Sequence, residues 1–60
     1  MIKIPVRILL VDDEKDFVEM LSLRLIETGE KVKEAYNGKE CLDTLEQTDI
    51  DVIILDIKMP

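Results

Sequence analysis

Sixty residues with a single cysteine and no histidine exclude an internal disulfide, most zinc sites and His-based acid–base or nucleophile chemistry. Eight basic against fourteen acidic residues leave a net charge of −6, which argues against a nucleic-acid partner. A chain this short holds at most one small domain and buries a modest share of its surface, so its stability calls for oligomerisation or the rest of a larger domain.

The chain begins MIKIPVRILLV, with Lys3 and Arg7, but only Ile8 to Val11 run apolar before Asp12 and Asp13. That run is too short for a signal-peptide core or a membrane span, so the reading is a soluble, cytoplasmic chain. Ile4 to Val11 is rich in β-branched residues and leucine and ends in charge, which predicts a buried strand. From about Asp16 to Thr28 the pattern turns helical, with Phe17, Val18, Leu21 and Leu25 on one face. Asp13, Glu14 and Asp16 suit the start of that helix electrostatically, and Gly29 is a natural stop. Met20, Leu23 and Ile26 lie off the inward face, so the helix is expected to pack on more than one side.

Lys31 to Tyr36 alternates polar and apolar residues, the pattern of a strand with one wet face at a sheet edge. Asn37-Gly38 turns the chain into a second helix, roughly Lys39 to Gln47, with Cys41, Leu42 and Leu45 expected inward. Asp51 to Leu55 follows, apolar on both faces as a central parallel strand is. The order strand–helix–strand–helix–strand, with right-handed crossovers, predicts an α/β unit: a parallel three-stranded sheet flanked by helices, one unit over residues 1–60 without internal repeats.

Ligands of such sheets sit beyond the C-terminal strand ends, where strand order reverses. The first strand ends in Asp12-Asp13 and the third in Asp56. If those strands are neighbours, three carboxylates share a small volume, and their mutual repulsion invites a cation. Hard oxygen donors suit Mg²⁺, with Mn²⁺ as a substitute. A divalent ion also recruits phosphate, toward which one carboxylate can act as nucleophile.

ILLVDDE closing the first strand, AYNGKECL after the second and VIILDIKMP closing the third together resemble the receiver domain of two-component response regulators. The resemblance implies a doubly wound, flavodoxin-like sheet with strand order 2-1-3, of whose five strand–helix units the chain carries the first three strands and the first two helices. It further implies that Asp56 is the phosphoacceptor, taking a phosphoryl group from the phosphohistidine of a sensor histidine kinase. Mg²⁺ would be held by Asp13 directly, by Asp12 directly or through water, by Asp56, and by the backbone carbonyl of Lys58. On this reading the chain is a signalling domain rather than an enzyme. The Ser or Thr of the family's fourth strand and the Lys of its fifth have no counterpart in these residues.

Other functions fit less well. A phosphatase of the haloacid dehalogenase type wants a second acid two residues after its nucleophile, where this chain has Lys58 after Asp56 or Glu14 after Asp12. A dinucleotide-binding fold needs a glycine-rich turn after the first strand, and VDDEKD has none. The remaining alternative is an inactive half-domain. In it strand 3, Asp51 to Leu55, would be a bare apolar edge, expected to pair antiparallel with a second copy into a homodimer.

Overall fold

The structure is a computed structural model, and it describes residues 4–55. Three strands, β1 (Arg7–Val11), β2 (Lys31–Ala35) and β3 (Val52–Leu55), alternate with two helices, α1 (Lys15–Glu27) and α2 (Gly38–Gln47). The sheet runs β2-β1-β3 and is parallel throughout, the order of the first three strands of a doubly wound sheet. Register runs from Arg7↔Lys31 to Val11↔Ala35 on one side of β1, and from Ile8↔Val52 to Val11↔Leu55 on the other. The first strand is shorter than the expected Ile4 to Val11. Pro5 has no N–H to give a ladder, and pairing starts only at Arg7.

The central strand carries the core because it has a helix over each face. Alternate side chains of β1 point to opposite sides of the sheet. Ile8 and Leu10 meet Val18 of α1, with Leu21, Leu25, Val32 and Tyr36 around them. Leu9 and Val11 meet Ala35 on the other face, with Cys41 of α2 and Ile50 beside them. Cys41 is thus half-buried rather than enclosed.

Local signals at the helix ends explain where the helices stop and start. After α1, Gly29 sits at φ 91°. Its N–H donates to the Ile26 carbonyl at 2.9 Å, and the Glu30 N–H donates to that of Leu25 at 3.2 Å. This is the paired closure that a left-handed glycine permits. At the start of α2, the Asn37 side chain accepts the Glu40 N–H at 2.8 Å, while the Glu40 carboxylate reaches back to accept the Tyr36 N–H at 3.0 Å. One donor of the first turn and one just ahead of the cap residue are thus satisfied reciprocally.

Several side chains expected inward are not. Phe17, Leu42 and Leu45 are exposed, whereas the polar Ser22 of α1 is buried. Both helices pack on β1 and β2, and among the described residues neither packs closely on β3. For the same reason β3 is the least covered strand, its side chains exposed from 38% (Ile54) to 60% (Leu55). Met20, Leu23 and Ile26 form a further exposed apolar row on α1. No helix among the described residues is long and apolar enough to cross a membrane.

Candidate functional site

The order β2-β1-β3 makes the chain cross from one side of β1 to the other, so the topological switch lies between β1 and β3. In sheets of this kind the crevice beyond that point, at the C-terminal strand ends, is where ligands bind. Asp12 stands there, directly after β1, and the residue is only 4% exposed. Burying a carboxylate is costly unless it is bonded or paired. Here its backbone N–H donates to the Ala35 carbonyl at 3.2 Å, and its Oδ1 accepts the Glu14 N–H at 2.9 Å. The second bond is an Asx turn that carries the chain from strand into α1. Asp13 is exposed beside it.

An apolar crevice adjoins Asp12, lined by Leu10, Val11, Phe17, Val18, Leu21 and Ile54. It runs between α1 and β3, so Asp12 has an apolar wall on the side facing the third strand. On the β2 side, Lys15 Nζ lies 5.4 Å from the centre of the Tyr36 ring, a cation–π contact between the first turn of α1 and the end of β2. Desolvation, then the carboxylates of Glu34, Glu19 and Glu40, hold the Tyr36 phenol above its ordinary range.

The structure brings Asp12 and Asp13 to the predicted rim. Asp56 and Lys58 lie outside the described residues. Among the described residues no three His, Cys, Asp or Glu side chains form a metal cluster. The donors at the rim are carboxylate oxygens, one of them almost fully buried, which is the donor chemistry of Mg²⁺ rather than of a thiophilic metal. Two features escaped the sequence reading: the Asx turn that orients Asp12, and a clamp between Arg7 and Asp51 at the opposite end of the sheet. A signal for the clamp existed. Arg7 stands immediately before ILLV and Asp51 immediately before VIIL, so pairing the two runs in parallel puts opposite charges side by side.

Compared with known proteins, residues 8–60 match the response regulator receiver domain family. A response regulator receiver protein of Anaeromyxobacter sp. is 41% identical over 54 residues, which is 90% of this chain and 23% of that protein. The response regulator MprA of Mycolicibacterium vanbaalenii is 41% identical over 56 residues, 93% of this chain and 24% of its own. The response regulator GtcR of Aneurinibacillus migulanus is 38% identical over 53 residues, 88% of this chain and 22% of its own. The chain therefore spans about a quarter of the length of these relatives. No solved structure matches it.

Proposed function

The chain belongs to the response regulator receiver domain family, and from that premise we propose that it is a phosphoacceptor, with Asp56 taking a phosphoryl group from the phosphohistidine of a sensor histidine kinase. One observation carries the reading: the buried Asp12 follows Val11 at the switch-point rim, and Val11 pairs with Leu55, the residue immediately before Asp56 in sequence.

In the transfer, a carboxylate oxygen of Asp56 attacks phosphorus in line. The P–N bond of the donor breaks as the P–O bond forms, and the imidazole leaves with the electron pair and takes up a proton. The product is an acyl phosphate on Asp56. Asp12, Asp13, Asp56 and the Lys58 carbonyl would hold Mg²⁺, with Mn²⁺ as a substitute. When bound, the ion offsets the negative charge of the phosphoryl group against the carboxylates around it. Asp12 is held for this by the Glu14 N–H, which fixes one oxygen and leaves the carboxylate oriented at the rim. The domain accepts one group and does not turn over a substrate. A kinase partner of this kind implies a cytoplasmic location.

The test is incubation of the 60-residue chain with Mg²⁺ and acetyl phosphate, followed by intact mass. A one-phosphoryl adduct absent from Asp56→Asn is expected. No adduct while Mg²⁺ still binds would refute acceptor function for this chain.

The exposure of β3 favours a second reading, an inactive unit that self-associates. Among the described residues no strand lies beyond β3, and its outer edge runs along four apolar side chains with no charge among them. A second copy pairing antiparallel through this strand closes a two-fold dimer with a six-stranded sheet. Light scattering across a concentration series tests it, and a monomer at every concentration would rule it out.

A further inference from the structure

The apolar pattern of β3 does not specify its register. Val52, Ile53, Ile54 and Leu55 are all apolar, so a slip by one residue along β1 leaves apolar side chains on both faces and only carries one flanking acid into the ladder. A slip by two preserves the facing as well. Register is normally fixed by a contrast between faces, and β3 has none. Yet the position of this strand matters, since each residue of slip moves its C-terminal end by about 3.3 Å.

One feature at the far end of the sheet does distinguish the registers. The Arg7 backbone N–H donates to Asp51 Oδ2 at 2.9 Å, and the Asp51 N–H donates to the Arg7 carbonyl at 2.8 Å. The Arg7 guanidinium then grips the same carboxylate with both prongs, Nε to Oδ2 at 3.0 Å and Nη2 to Oδ1 at 2.9 Å. A planar fork on a carboxylate has one good geometry, which is why such pairs carry positional information as well as attraction. The side chains are 46% and 42% exposed, so position rather than bulk stability is their main product. Asp49 adds only a 3.6 Å contact to Arg7 Nη1 from a side chain that is 91% exposed. On the other flank of β1 a parallel device appears, with the Glu30 carboxylate accepting the Val6 N–H at 3.3 Å.

We infer that the Arg7–Asp51 clamp sets the register of β3 on β1 and thereby positions the Asp56 acceptor with respect to Asp12. Arg7 and Asp51 are positioning residues, and the inference rests on the acceptor reading above. Asp51 is five residues before Asp56 and Arg7 five before Asp12, so the clamp and the two acids stand at opposite ends of equal apolar runs. The Asp51 carboxyl is held at about 2 by its bonds to Arg7, so the clamp stays charged at any working pH.

The experiment follows Arg7→Ala, Asp51→Ala, the double variant and Asp49→Ala with two readouts. One is the rate of Mg²⁺-dependent adduct formation from acetyl phosphate. The other is the set of cross-strand NOEs reporting Ile8↔Val52 and Val11↔Leu55. Each single clamp variant is expected to lose about tenfold or more in rate, because misplacing a nucleophile by an ångström or more has that effect. Each is also expected to show NOEs from a second register. The double variant should be no slower than the slower single one, since both remove the same clamp. Asp49→Ala should stay within about twofold of the parent, as an exposed ion pair implies. Should the alanine variants fail to fold, Arg7→Lys and Asp51→Asn are read the same way. Parental register and rate in the clamp variants would overturn the inference. A parent that accepts no phosphoryl group would refute the acceptor reading instead, and the NOEs alone would then decide the clamp.

Discussion

Leu9 and Ile53 face each other on one rung of the sheet, yet Leu9 is 0% exposed and Ile53 is 44% exposed. Truncating each to alanine therefore separates what β1 and β3 contribute. Removing a large aliphatic side chain from a closed core costs about 2–5 kcal/mol, the upper part where the site cannot collapse. Leu9 is walled by Val11, Ala35 and Cys41 on its face, so Leu9→Ala is expected at about 3–5 kcal/mol. Ile53 has little more than half its surface covered, which scales the same loss to about 1–3 kcal/mol. A 60-residue domain has a total stability of about 3–9 kcal/mol. Leu9→Ala should thus lose most or all of its urea transition, while Ile53→Ala keeps a measurable one. An equal loss in the two variants would refute the argument, because it would mean that β3 is covered in solution. A midpoint that moves with protein concentration would then identify a second copy as the cover.

Asp51 predicts an acid limb in stability. Its folded-state carboxyl sits at about 2 against an ordinary 3.8, because Arg7 bonds the ionised form. The stabilisation is therefore complete above about pH 4 and is lost as pH falls toward 2. Urea midpoints measured from pH 6 downward should show that decline, and Arg7→Ala should flatten its share of it. Asn37→Ala removes the side-chain acceptor of the Glu40 N–H and should cost about 1 kcal/mol, with Asn37→Asp close to the parent by thermal melting. Asp12→Asn keeps an oxygen for the Glu14 N–H but removes a charge from the rim. Its fold should persist by circular dichroism, while Mg²⁺-dependent phosphorylation of the chain is lost.

Much of this architecture was legible because local signals and long-range pattern agree. Gly29 ended α1 where a left-handed residue was required, Asn37-Gly38 opened α2, and the alternation of KVKEAY marked β2 as an edge. Side-chain burial was harder to read. Phe17, Leu42 and Leu45 have helical spacing suited to a core, but spacing states only which face they share and not whether anything packs against that face. Ser22 is the converse case, a polar residue buried by its position on α1, and no property of serine announces it.

The two apolar runs show why the acids that follow them were more conspicuous than the charges that precede them. ILLV and VIIL are nearly interchangeable as strings, and hydropathy assigns both to a buried parallel strand. Their burial differs because β1 has a strand on each side and a helix over each face, whereas among the described residues β3 packs on β1 alone. The acids that end these runs stand out in sequence, since charge after an apolar strand is conspicuous. The residues that begin them, Arg7 and Asp51, look like ordinary surface charges until the register is known. Only then does their offset match that of every paired residue between the strands, from Ile8↔Val52 to Val11↔Leu55. An apolar run can drive a strand into a sheet without specifying where along its neighbour it stops. In this chain that information comes from a charged pair at the end of the sheet remote from Asp12.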